Sequence, residues 1–201
     1  MRMTRWISLR PKADEVSSTV HIGELAPMHR ERVAEILVAS QVFRLDEVEV
    51  ALELFDEGCG TREAGGETAA TIPPPASHLP LPDYLFLGAF TPEEELVGYA
   101  CYGVTPGTDR TFDLYWIAVD PESQGAGIGT LLLKEVERRL EGHHARMLVV
   151  ETSSRSDYGP TRVFYERCGY NQAARVREFY APSDDRITFT KRFHLPQGQG
   201  A

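Results

Sequence analysis

Tyr115-Trp116-Ile117-Ala118-Val119-Asp120-Pro121-Glu122-Ser123-Gln124-Gly125-Ala126-Gly127-Ile128-Gly129-Thr130 joins an apolar run to a proline turn and then to three alternating glycines. The run from Thr111 to Val119 reads as a strand, and about Gly127 to Glu141 reads as a helix. Ile128, Leu131, Leu132, Val136 and Leu140 fall on one helical stripe, with Lys134, Glu135, Glu137, Arg138 and Glu141 off it. Glycines leave backbone N–H groups unshielded, and the first helical turn adds its unpaired N–H groups and positive dipole end, so the turn suits an anion. A glycine turn that serves only to start a helix is the plainer alternative.

Two phosphate motifs can be tested on spacing, and both fail. A P-loop ends in Gly-Lys-Ser/Thr, whereas Gly129 is followed by Thr130 and Leu131. A dinucleotide turn needs G-x-G-x-x-G tight against its strand. Here Gly125, Gly127 and Gly129 give G-x-G-x-G only after Asp120 to Gln124, a mismatch that outweighs a carboxylate at Glu151.

Working outward, a short strand at Val20 to Leu25 precedes two amphipathic helices, marked by Val33, Ile36 and Leu37 and then by Val48, Leu52 and Phe55. Tyr84 to Phe90 and Leu96 to Val104 flank Thr91-Pro92-Glu93-Glu94-Glu95 and read as an antiparallel hairpin. After the glycine turn come a strand at Arg146 to Thr152, a helix at Pro160 to Cys168 ended by Gly169, and strands near Asn171 to Tyr180 and Arg186 to Phe193. The order is mixed α/β. Asp56 to Pro82 holds four glycines and five prolines in 27 residues and reads as an inserted surface loop or a lid. The expected organisation is a tail over 1–19, one domain over 20–194 and a tail over 195–201.

At 201 residues, 42% hydrophobic and 25% charged, the chain can build one core without a disulfide or a structural metal. Cys59, Cys101 and Cys168 form no zinc-ligand spacing, and their odd number suits a reducing compartment. With no long apolar run and no apolar region after the first basic residues, the expectation is a cytoplasmic protein without a membrane span. A net charge of -9 disfavours nucleic acid and admits cationic partners. Arg2, Arg5, Arg10 and Lys12 precede the first acidic residue and read as a solvated arm. His143 and His144 have no partner at ligand spacing, so no metal is expected.

Gln124, Gly127 and Gly129 resemble the Gln/Arg-x-x-Gly-x-Gly/Ala acetyl-CoA signature of the GNAT N-acetyltransferase superfamily. Phe164-Tyr165-Glu166-Arg167-Cys168-Gly169-Tyr170 is similar to that superfamily's second motif, Phe-Tyr-Glu-x-x-Gly-Phe/Tyr. The resemblance implies a central, mostly antiparallel sheet flanked by helices and splayed between its fourth and fifth strands. It implies acetyl-CoA as cosubstrate, with the pyrophosphate on the N–H groups of Gln124, Gly125, Ala126, Gly127, Ile128, Gly129 and Thr130. Ile117, Ala118 and Val119 would pair with the pantetheine arm. Relatives often carry Asn and Ala where this chain has Tyr158 and Thr161, and Thr152, Ser153 and Ser154 are candidates for the missing polar contacts.

By the same resemblance Tyr165 protonates the leaving thiolate. It lies on a different stripe from Phe164 and Cys168, which would place those two in the core and let the phenol look out of it. A buried structural tyrosine is the alternative. Asp113, six residues before Val119, stands where several relatives carry a glutamate and is the first candidate base. Strict alternation would put it on one face with Tyr115, Ile117 and Val119. Glu151 is the second candidate, and either carboxylate could instead bind substrate or sit idle at the surface. Cys168 invites an acetyl-cysteine route, but small-hydrophobe packing suits its place better.

The function expected is direct acetyl transfer to a primary amine, most simply of a small molecule, with a backbone N–H near Val119 steadying the oxyanion. A non-catalytic acyl-CoA-binding module is the rival reading, and transfer to a hydroxyl or from a longer acyl-CoA is a third. Strand pairing into a homodimer is compatible with the sequence.

Overall fold

The computed structural model describes residues 20–60 and 83–193. The expected tails and most of the Gly/Pro-rich segment lie outside the described residues. One sheet has the order β1-β2-β3-β4-β5-β7-β6. Its strands are β1 (His21–Glu24), β2 (Leu85–Phe90), β3 (Leu96–Val104), β4 (Thr111–Val119), β5 (Met147–Ser153), β6 (Asn171–Ala181) and β7 (Asp184–Arg192). All neighbours run antiparallel except β4 with β5. The helices are α1 (Arg30–Ser40), α2 (Leu45–Gly60), α3 (Ile128–Gly142) and α4 (Gly159–Arg167). The mixed α/β class and the mostly antiparallel sheet are therefore as the sequence implied.

Alternation along the strands divides the core between two faces. Val33, Ile36 and Leu37 of α1 and Phe55 of α2 pack with Phe86, Tyr99 and Cys101 on one face. Ile128, Leu132 and Val136 of α3 pack with Leu87, Ala100 and Leu148 on the other, joined there by Tyr165 of α4. Leu133 rather than Leu131 completes the buried stripe of α3.

The composition of Asp56 to Gly60 suggested a loop, yet α2 continues through it. Packing overrides propensity at this point: Cys59 is fully buried, and Gly58 lies so close to the sheet that a Cβ there would stand 2.6 Å from the Phe86 ring. At the other end, the Arg44 N–H donates to Glu47 Oε2 at 2.8 Å, the reciprocal half of a capping box that starts α2.

Asp120, at the exit of β4, ties the two layers together. Its Oδ1 accepts the Glu122 N–H at 2.9 Å and fixes the proline turn, while Oδ2 accepts from Arg32 of α1 at 2.6 Å. Arg32 Nε also donates to the Leu96 carbonyl at 3.0 Å. Asp120→Asn keeps the turn acceptor and removes the charge. It is expected to lower stability by about 1–3 kcal/mol in urea denaturation, and an unchanged midpoint would contradict this role.

Candidate active site

β4 pairs with β5 only from Thr111 to Leu114, against Met147 to Val150. Beyond that, β4 stays with β3 as far as Val119, and β5 stays with β7 as far as Ser153. The two strands part, leaving the β5 side of Tyr115 to Val119 without a strand partner. A cleft of about 160 Å³ opens between them, lined by Ile117, Ala118 and Val119 on one side and by Glu151, Thr152 and Tyr165 on the other. Two polar groups on its wall are buried without a partner, Thr152 Oγ1 and Trp116 Nε1. Native interiors leave few such groups, so both mark places where a bound molecule would supply the missing bond.

Within β4, Tyr102 faces Leu114 across the ladder and Cys101 faces Trp116, so Tyr115 is an extra residue. This bulge corrects the expectation that Asp113 shares a face with Ile117 and Val119. Phe112 and Leu114 pack on the α3 face, and past the bulge Ile117 and Val119 take up that face. Tyr115 and Trp116 turn to the α1/α2 face, where Asp113 lines a chamber beside them.

The glycine turn is shaped by Gly125 and Gly127, whose φ values of 82° and 80° suit residues without a Cβ. Gln124 Nε2 donates to the Val119 carbonyl at 3.2 Å and closes the turn onto the strand. The first bond of α3 runs from the Leu131 N–H to the Gly127 carbonyl at 3.0 Å. The N–H groups of Gly127, Ile128, Gly129 and Thr130, at the start of α3, have no backbone acceptor among the described residues. Next to Thr130, a groove of about 770 Å³ between α3 and α4 carries Lys134, Arg167 and Lys191.

Tyr165 differs from the reading that let it look out of the core. It is the buried residue of α4, 3% exposed, whereas Phe164 and Cys168 are only partly buried. Its ring lies 5.7 Å from Tyr170 and 6.0 Å from Phe189, and Phe164 crosses to the start of α3, 3.7 Å from where a Gly129 Cβ would stand. Helix α4 presses Tyr165 onto the sheet where β4 and β5 part, so it is buried in the core and still lines the cleft. Burial raises its pKa well above the ordinary phenol value, and it stays protonated at neutral pH. Gly169 closes the helix at φ 84°, with the Tyr170 N–H donating to the Tyr165 carbonyl at 3.0 Å.

The chamber on the α1/α2 face holds about 630 Å³ and contains both candidate carboxylates. Asp113 is half-buried, and Thr105 Oγ1 donates to its Oδ2 at 2.7 Å. Burial raises its pKa, against the smaller opposing effect of that bond. Glu151 is exposed, with Arg186 at 3.4 Å. The Ser153 and Ser154 hydroxyls are committed elsewhere. Ser153 Oγ donates to Asp184 Oδ1 at 2.5 Å, and Ser154 Oγ accepts the Asp185 N–H at 2.8 Å. Thr152 is left as the open polar group of that trio. Burial also raises the Cys168 thiol's pKa, which opposes a thiolate nucleophile. Phe43, Glu47, Arg155, Tyr180 and Asp184 also line the chamber and carry no sequence motif, because five separate segments bring them together.

The model of the acetyltransferase (GNAT) domain matches residues 83–172. A GNAT-family acetyltransferase structure from Desulfovibrio desulfuricans superposes with a TM-score of 0.71 at 35% identity, covering 86% of this chain and 98% of that one. The ribosomal-protein-S18-alanine N-acetyltransferase of Escherichia coli gives 0.65 at 19% identity, covering 90% and 99%. An aminoglycoside 6'-N-acetyltransferase complexed with coenzyme A gives 0.62 at 15% identity, covering 88% and 99%. No curated protein matches the chain by sequence. Over nearly the full length of the Desulfovibrio protein the sequence identity and the fold agree, and the chain belongs to the GNAT family of acetyltransferases.

Proposed function

We propose that the protein transfers acetyl from acetyl-CoA directly to a primary amine of a small molecule. The observation that carries this reading is the meeting of a donor cleft and an acceptor chamber at Trp116 and Thr152. Both residues line both spaces, and both hold an unpartnered buried polar atom. The N–H groups of the glycine turn and the first turn of α3 suit the pyrophosphate, and Lys134 and Arg167 add positive charge beside them, while Lys191 is paired with Glu137 at 2.7 Å. Coenzyme A bound to the aminoglycoside acetyltransferase supports the same donor here. A chamber of about 630 Å³ is of small-molecule size.

In this reading the neutral amine enters from the chamber and its nitrogen attacks the thioester carbonyl. A new C–N bond forms, and the C–S bond breaks as the tetrahedral centre collapses. Backbone N–H groups on the unpaired side of β4, toward Val119, stabilise the oxyanion. Asp113 accepts the proton lost by nitrogen, with Glu151 as the alternative acceptor, and Tyr165 donates a proton to the departing sulfur. Burial keeps this phenol protonated at neutral pH, so its O–H is available to the sulfur as the C–S bond breaks, and the proton it gives up is regained from solvent before the next turnover.

Tyr165→Phe keeps the ring that packs against Tyr170 and Phe189. It is expected to hold acetyl-CoA within a few fold of the parent while thiol release with amine falls by about 10²-fold or more. Unchanged thiol release would remove Tyr165 from the mechanism.

Because burial raises the Asp113 pKa, its carboxylate is lost on acidification at a pH above that of an exposed aspartate. The acid limb of kcat/KM is expected to lie correspondingly high and to vanish in Asp113→Asn. A limb that survives in Asp113→Asn and vanishes in Glu151→Gln would transfer the role to Glu151.

A further inference from the structure

The chamber walls carry more negative charge than one reacting amine requires. Four carboxylates line it, Glu47, Asp113, Glu151 and Asp184. Its two arginines pair with acids outside it, Arg44 with Asp46 and Arg155 with Asp157, each at 2.7 Å, and act on Glu47 and Asp184 only through the weaker field beyond those pairs. Among the described residues, Glu151 is the one of the four acids in an ion pair, with Arg186. Asp113 has the Thr105 hydroxyl, Asp184 the Ser153 hydroxyl, and Glu47 its own helix cap.

These acids fall into two places. Asp113 stands beside Val149 in the β4/β5 register, which puts Glu151 one step further along the same face of β5, toward the cleft. Ser153, four residues beyond Val149 on β5, holds Asp184, and Glu47 and Tyr180 line the chamber with it. The lining also holds an apolar and aromatic group, Phe43, Leu114, Tyr115 and Trp116. A linear cation threads such a lining well, since its methylenes bury against the rings while each ammonium meets a carboxylate or an aromatic face. The unpartnered Thr152 Oγ1, in a residue 4% exposed, marks the junction of chamber and cleft as a place for a ligand, and its lone pairs can accept an amine N–H.

We propose that the acceptor carries a second positive charge set apart from the reacting nitrogen by an apolar spacer, as in a linear diamine or polyamine. The reacting amine lies within reach of Asp113, where the chamber meets the cleft, and the distal ammonium lies toward Glu47, Tyr180 and Asp184. This assignment rests on the acetyl-transfer reading above.

The test measures thiol release from acetyl-CoA with α,ω-diaminoalkanes of increasing length, n-alkylamines of matching length, an aromatic monoamine and a short peptide with a free N-terminus. A diamine is expected to exceed its matching monoamine in kcat/KM by about tenfold or more, mainly through KM. That ratio should shrink toward one in Glu47→Gln, which retains an oxygen to cap α2. Monoamines or the peptide matching the diamines would overturn the proposal, as would a ratio unmoved in Glu47→Gln with full diamine turnover. If no acceptor is used while acetyl-CoA still raises the melting temperature, the diamine assignment falls and the donor reading stands. If acetyl-CoA fails to raise it, the acetyl-transfer reading itself falls.

Discussion

β4 and β5 share a parallel ladder for four residue pairs and then separate, each held to its course by its other neighbour. Backbone N–H and C=O groups inside a protein must find partners, so a sheet that opens in its middle is costly unless something fills the gap. Here the gap leaves one side of Tyr115 to Val119 without a strand and places the Thr152 hydroxyl and the Trp116 indole N–H on its wall without acceptors or donors. Those vacant bonds fit an extended amide-bearing chain such as the pantetheine arm. The glycine turn at the end of β4 and Tyr165 at the inner end of the cleft are both placed by the same separation.

The separation must also be held open, and the sequence invests charged residues in doing so. Asp120 fixes the turn that follows β4 and reaches Arg32 on α1, so the glycine turn is anchored to the helical layer on the opposite face. On the β5 side, Ser153 and Ser154 bond to Asp184 and Asp185 of β7, and Arg162 donates to the Ser153 carbonyl at 2.7 Å. Both lips of the cleft are pinned outward, away from each other. The bulge at Tyr115 completes the arrangement by giving one strand two functions. Ile117 and Val119 face the α3 side, while Asp113, Tyr115 and Trp116 face the chamber on the α1/α2 side.

Local pattern made much of this legible. The apolar run Thr111 to Val119 marks β4 to the residue, and the alternating glycines with the stripe behind them mark α3. Other features follow from contacts between distant segments, which periodicity does not record. The Tyr115 bulge depends on its pairing with β3, so strict alternation misassigned the face of Asp113. Helical position alone placed Tyr165 facing out, but α4 lies on the sheet through that very residue. Asp56 to Gly60 has the composition of a loop and is helical because Cys59 is buried under β2. The acceptor chamber was the least legible part. Phe43, Glu47, Tyr180 and Asp184 are brought together from α2, the turn before it, β6 and β7.

The most direct test of the opened sheet as a donor site compares the melting temperature with acetyl-CoA and with adenosine 3',5'-bisphosphate. The bisphosphate can use only the basic groove and the glycine turn, whereas acetyl-CoA also reaches the cleft. At about 100 times its Kd, acetyl-CoA should raise the melting temperature by about 5–10 °C, well above the bisphosphate at the same concentration. Equal shifts, or none with millimolar acetyl-CoA, would contradict the assignment of the β4/β5 cleft.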